Sequence, residues 1–245
     1  MLELLDTATK CCYKCKLYLP LTEFSKDNSR SDKLTALCRS CDSKKRDITR
    51  KKNQYQIFKD LLTLSCGHPG CEVNNIFLLT FHHLDPSEKD FHDFKRMSYE
   101  SYLREKKKCK VLCRNHHEEI HALERFDWYG NRLTKNKVNL DGYKIIDTIR
   151  KEQAYCPDCQ KEMFWAILQF HHLIKETKIA DISELIKTRK GQLLLEDEIK
   201  KCVLLCPNCH AERHNQEHYK KAGARNWEEY YLIKKYNFEY TMPRS

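Results

Sequence analysis

Apolar positions along this chain come in short bursts separated by long charged stretches. The burst Ile76-Phe77-Leu78-Leu79-Thr80-Phe81 is β-branched and aromatic and runs into His82-His83, so it reads as a strand ending on two histidines. The bursts in KCKVLC (108–113) and KCVLLC (201–206) read as two further short strands. Behind each stands an asparagine, Asn115 or Asn208, and then a helix-like stretch, HHEEIHALERF or CHAERHNQEHY. Asparagine is a favoured N-cap, so helices are expected to start there. Residues 44–62 have helical composition, and Tyr55, Phe58, Leu61 and Leu62 recur at helical spacing, which predicts docking on the segment that follows. A connector over 127–154 carries Gly130 and Gly142 as expected turn points. The tail, 215–245, holds Tyr219, Trp227, Tyr230, Tyr231, Tyr236, Phe238 and Tyr240, read as helical packing rather than a stacking platform for bases.

Such a pattern does not supply one large core. Charged residues make up 33% of the 245, and mean hydropathy is −0.76. Small units bury too little apolar surface to offset chain ordering and need staples. The chain holds 14 Cys and 12 His. It has no signal-peptide layout and no apolar stretch near the roughly 20 residues that span a bilayer. An intracellular location is therefore expected, with no membrane partner. There paired cysteines bind zinc more often than each other. The formal charge of +10 favours a polyanionic partner.

The cysteines and histidines repeat. Phe81-His82-His83-Leu84 matches Phe170-His171-His172-Leu173, and Lys89 and Lys178 each follow the second His by six residues. Cys109, Cys113, Asn115, His117 and His121 match Cys202, Cys206, Asn208, His210 and His214, while His116 stands opposite Cys209. Three four-ligand cages follow from the spacing: Cys12, Cys15, Cys38 and Cys41; Cys66, Cys71, Cys113 and His116; Cys156, Cys159, Cys206 and Cys209. Thiolate-rich tetrahedral sets suit zinc, so about three structural Zn²⁺ are expected. His68 is an alternative fourth ligand in the second cage, and Cys11 an alternative to Cys12. Cys109 and Cys202 are read as buried, inert thiols.

Each repeat keeps four more histidines. His117 and His121, like His210 and His214, are four apart on one helix face and can chelate one cation. His82 and His83 are strand neighbours, as are His171 and His172, so the members of each pair point to opposite faces unless the strand bends. A non-catalytic zinc protein that binds DNA or RNA would also use such cages, and one repeat could cut while the other only binds.

The F-H-H-L segment, the later Lys and L-C-x-N-[CH]-H-x3-H resemble the HNH nuclease family of the His-Me finger group, over roughly 60–125 and 150–220. The resemblance implies a small, metal-stapled α+β chain: a zinc ribbon or finger over 1–50, then treble-clef-like ββα-metal modules over 51–130 and 145–245, the last with the helical tail. It implies a metal-dependent endonuclease acting on double-stranded DNA and leaving 5′-phosphate and 3′-hydroxyl ends, with no small organic cofactor. By position, His82, His117 and His121, and His171, His210 and His214, become metal ligands, and His83 and His172 general bases. The four-cysteine unit in front resembles that of phage-encoded homing endonucleases, which would place the protein in a host cytoplasm. Two positions depart from the family pattern. A His stands where many members carry Asp before the base, and Lys108 and Lys201 occupy the stretch of its separate middle Asn. The all-His set leaves Mg²⁺, Mn²⁺, Ni²⁺ and Zn²⁺ open as the active-site metal. The run Arg104–Lys108 (104–108) is either a solvated face or a phosphate contact.

Overall fold

The computed structural model describes residues 8–89, 97–126 and 140–241. Gly130 lies outside them, and the side chains of Tyr236, Phe238 and Tyr240 are likewise not described. The chain is a small α+β protein whose sheets are all two-stranded and antiparallel among the described residues. Its contacts divide it into two units, with the first boundary at Phe58.

In the first unit β1 (Thr9–Cys11) pairs with β2 (Tyr18–Pro20), and β3 (Phe24–Lys26) with β4 (Leu34–Cys38). Helix α1 (Arg39–Leu61) follows, matching the helical reading of 44–62. The core here is Phe24 with Cys12, Cys38 and Cys41, flanked by Leu19, Leu34 and Leu37. Three of its four buried side chains are cage cysteines, so the candidate metal site and the core coincide.

The second unit contains both sequence repeats. In the first, β5 (Leu79–His83) pairs with β6 (Cys109–Cys113), and α3 (Arg114–Arg125) follows; α2 (Tyr99–Lys106) precedes β6. In the second, β9 (Gln169–His172) pairs with β10 (Cys202–Leu205), and α7 (Pro207–Lys221) follows. Each repeat is thus two antiparallel strands and a helix. The strand expected from Ile76 begins only at Leu79, because 76–78 form a turn in which the Phe77 N–H donates to Asn75 Oδ1 at 2.9 Å. Between the repeats lies α4 (Leu140–Glu152), a helix where the sequence suggested a turn-rich connector. Gly142 sits in its first turn, and a Cβ there would come within 3.1 Å of Ile186. Close packing, not a turn, explains this glycine.

The short β7 (Tyr155–Cys156) and β8 (Lys161–Glu162) form a knuckle around Cys156 and Cys159. Short α5 (Ile182–Leu185) and α6 (Arg189–Ile199) pack with α4 in a core of Ile146, Ile182, Leu185, Ile186 and Leu195. Helix α8 (Trp227–Thr241) brings Tyr230 against Phe77 and Tyr219, with ring centroids 5.5 and 5.3 Å apart. Tyr219 and Tyr230 of the tail therefore pack, as the sequence suggested. No helix among the described residues is long and apolar enough to cross a membrane.

Candidate metal centres and their histidine partners

The three cages form as the spacing predicts. Cys12, Cys15, Cys38 and Cys41 bring their sulfurs within 4.8 Å of one another, as do the ligand atoms of Cys66, Cys71, Cys113 and His116, and of Cys156, Cys159, Cys206 and Cys209. All 14 cysteines are free thiols. The turns that shape the C-x2-C pairs are alike. Lys16 N–H donates to the Cys12 carbonyl and Gln160 N–H to the Cys156 carbonyl, both at 2.9 Å. Both residues take positive φ, 60° and 56°, a strained choice for side chains other than glycine. In the mixed cage His116 Nδ1 lies 3.3 Å from Cys66 Sγ and 3.2 Å from Cys113 Sγ. His68 instead stacks on the His116 ring at 3.8 Å, so it braces the ligand rather than replacing it. Cys11 is exposed and outside the first cage.

Backbone N–H groups are aimed at particular sulfurs: Cys38 N at Cys12 Sγ (3.3 Å) and Cys113 N at Cys66 Sγ (3.2 Å). The Cys38 and Cys15 amides bring the Cys12 thiol down to about 6 against its burial. The hydrogen bond from Cys41 to Cys38, with burial, pushes the Cys41 thiol up to about 12. Four thiols this close cannot all ionise unaided, and a divalent cation is the group that makes all four thiolates. Cys109 and Cys202 are half-buried rather than buried. Burial and the neighbouring carboxylates of Glu105 and Glu198 push both thiols up to about 11, which favours the protonated thiol near pH 7.

Two further clusters are made of histidine alone. His82 from β5 meets His117 and His121 from α3, with ring centroids 5.4 and 5.1 Å away. His171 from β9 meets His210 and His214 from α7, both at 5.1 Å. In each trio one nitrogen per ring lies within 4.8 Å of the others. These are the six histidines the sequence assigned as ligands. Burial, then the charge of neighbouring imidazoles, brings His117 and His210 down to about 4. Both are neutral near pH 7, the form that donates a lone pair to a cation. Unlike the four-membered cages, a trio leaves coordination positions for water or substrate, and its residues are only partly covered.

The fourth histidine of each repeat does not join its trio. His83 Nε2 lies 2.7 Å from Glu105 Oε1, and His172 Nε2 lies 2.9 Å from Glu198 Oε1. The expected quartets are thus a trio plus a His–Glu pair. The alternation of side chains along a regular strand is the cause, since His82 and His83 pair with Lys110 and Cys109 without a bulge. The carboxylates are enclosed: the side chains of Glu105 and Glu198 are 2% and 0% exposed, and those of His83 and His172 are 8% and 11% exposed. Lys108 Nζ lies 3.3 Å from Glu105 Oε2, and Lys201 Nζ 2.8 Å from Glu198 Oε2. Burial alone would raise the Glu198 carboxyl. The Lys201 ammonium, the Ile179 N–H and His172 outweigh it and bring it down to about 2.

Neither glutamate was picked out from sequence, yet both repeats contain Glu-x2-Lys-Cys, at 105–109 and 198–202. The basic run at 104–108 is therefore partly committed. Lys106 pairs with Asp60 at 2.6 Å and Lys108 with Glu105.

Two predictions follow from these charges. Glu198→Ala strands a nearly buried His172 and an ammonium, and is expected to lower stability by about 3 kcal/mol in urea denaturation. The second concerns acid. His117 and His210 have folded-state values below the ordinary 6.5, so the folded chain binds fewer protons than the unfolded one. With the trios kept metal-free and the cages loaded, stability should fall as pH drops from about 6.5 to about 4. Melting temperatures measured across that window would reveal it.

Comparison with protein families, with characterised proteins and with solved structures finds no match to this chain.

Proposed function

We propose that the chain is a metal-dependent endonuclease that hydrolyses phosphodiester bonds in double-stranded DNA. The observation that carries this reading is the pair of open histidine trios, each on one strand and a helix, each beside a His–Glu pair, and each separate from a closed cysteine-containing cage. Residues needed only for structure are already accounted for by the cages, which leaves the trios available for a reacting ligand. The layout agrees with the HNH resemblance of the sequence.

In this reading His82, His117 and His121 hold one divalent cation, and His171, His210 and His214 a second. Such a cation, when bound, stabilises charge growing on the phosphate and on the leaving 3′-oxygen. The work of the chain's own groups is proton transfer and orientation. Glu198, fixed by Lys201 and the Ile179 N–H, accepts the Nε2 proton of His172 and so selects the tautomer whose Nδ1 carries a lone pair. That nitrogen takes the proton from the attacking water. His83 and Glu105 form the same pair in the first repeat. The net charge of +10 favours approach to the polyanion, and the first unit and α1 are the regions left for base contacts.

A second reading, a zinc protein that binds nucleic acid without cutting it, draws on the low exposure of His83 and His172. One assay separates the two. Purified protein is incubated with supercoiled plasmid and, in turn, Mg²⁺, Mn²⁺, Ni²⁺ and Zn²⁺, and the new ends are sequenced. Metal-dependent breaks bearing 5′-phosphate and 3′-hydroxyl support the nuclease. Retardation of the plasmid with no break under any of the four metals rejects it.

A further inference from the structure

Equivalent residues of the two repeats meet each other. Asn208 N–H donates to Asn115 Oδ1 at 2.9 Å, and Asn115 N–H donates to Asn208 Oδ1 at 3.3 Å. These residues occupy the same place in the two repeats, so the contact is its own mirror under exchange of the repeats. The asparagines were expected to cap their own helices. Instead Cys113 and Cys206 hold the N-cap positions, and each asparagine satisfies an orphan N–H in the first turn of the opposite helix.

The same exchange recurs further out. Phe126, just past α3, packs on Trp165 ahead of β9, with centroids 4.8 Å apart. Tyr219 of α7, at the position that matches Phe126, packs on Phe77 ahead of β5 at 5.9 Å, one residue along from the position that matches Trp165. Each helix thus lies over the segment that leads into the other repeat's histidine strand. Reciprocal contacts between equivalent patches are the mark of an isologous interface, here built within one chain.

The first repeat also reaches the second trio. A cleft of about 230 Å³ is lined by His210 and His214 of the second repeat and by Arg114 and Glu118 of the first. Arg114 is a cation suited to phosphate, and it reaches the second trio's cleft from the neighbouring repeat.

We infer that one chain cuts both strands of a single duplex, one strand at each trio. The inference rests on the nuclease reading above. The strands of a duplex are antiparallel and related by two-fold axes. A two-fold pair of like sites therefore meets one strand at each site, with opposite polarity. Two sites related by simple translation would instead meet the same strand twice.

The test uses the full chain, a supercoiled plasmid library with a randomised insert, and the metal that supports breakage in the assay above. Wild type is expected to give linear product whose two 5′ ends are offset by one constant spacing. His121→Ala should leave nicks in one strand only, and His214→Ala nicks in the other strand, with loss of linear product in both. Asn115→Ala/Asn208→Ala keeps all eight histidines and should accumulate nicked circles before linear DNA. Cage zinc content and circular dichroism at wild-type levels certify the fold of each variant. The inference is overturned if both histidine variants nick the same strand, if either still linearises at the wild-type rate, or if the offset varies without pattern. Absence of any break by wild type, with the plasmid still bound, would instead remove the nuclease reading and this inference with it.

Discussion

Replacing both His83 and His172 is expected to abolish strand breakage while leaving DNA binding close to wild type. A positioned general base contributes about 10²- to 10⁴-fold to a rate, so the loss at each site should be of that order. Under the proposed function binding would rest on phosphate contacts from exposed cations, and both histidines are nearly buried. The alanine changes also take the imidazole partner from the buried carboxylates of Glu105 and Glu198, which would cost stability. His83→Gln/His172→Gln removes the base but offers an amide to each carboxylate, and separates the two effects. If the glutamine double variant melts like wild type and breaks DNA no faster than background, the proton-transfer role stands. Undiminished breakage by the same protein would leave these histidines as satisfied core residues and nothing more. Measured nicking rates and gel-shift affinities, taken side by side, decide it.

The cages were the most legible part of the sequence, because their chemistry is local. Cys156-x2-Cys159 and Cys206-x2-Cys209 each need only a tight turn to bring two sulfurs together, and spacing reports that directly. The i, i+4 histidines of α3 and α7 are legible for the same reason, through helical geometry. What joined them to His82 and His171 was the HNH resemblance, which sets the strand ligand by position. Glu105 and Glu198 were not legible in that way. Each lies more than twenty residues from its histidine, and the run around Glu105 reads equally as a solvated face or a phosphate contact. Only lining up Glu-x2-Lys-Cys in both copies would have singled them out. The reciprocal asparagines hid behind a stronger local rule. N-cap preference placed each on its own helix, whereas the contact crosses 93 residues of sequence and depends on how the repeats dock.

Removal of the cage metals should have the largest effect on the fold. The second cage's cluster consists of Cys66, Cys113 and Leu112, and the third's of Cys156, Cys206 and Leu205, so two of three buried members in each are ligands. Without a cation those thiols become buried polar groups around a core too small to hold them. Structural zinc contributes roughly 10–16 kcal/mol in small domains, more than such a core can replace. Elemental analysis of native protein is expected to find about three tightly held zinc ions. Cys206→Ser should reduce that to about two by opening the third cage, whose sulfur also accepts the Cys209 N–H at the start of α7. Loosening α7 frees Asn208, and with it the bond that supports the first turn of α3. The damage should therefore spread to the first repeat, lowering the affinity of His82, His117 and His121 for added metal although none of them was changed. A Cys206→Ser protein that still held three zinc ions would contradict the cage. One that lost a single zinc and kept full affinity at the first trio would show that the two repeats fold independently of each other.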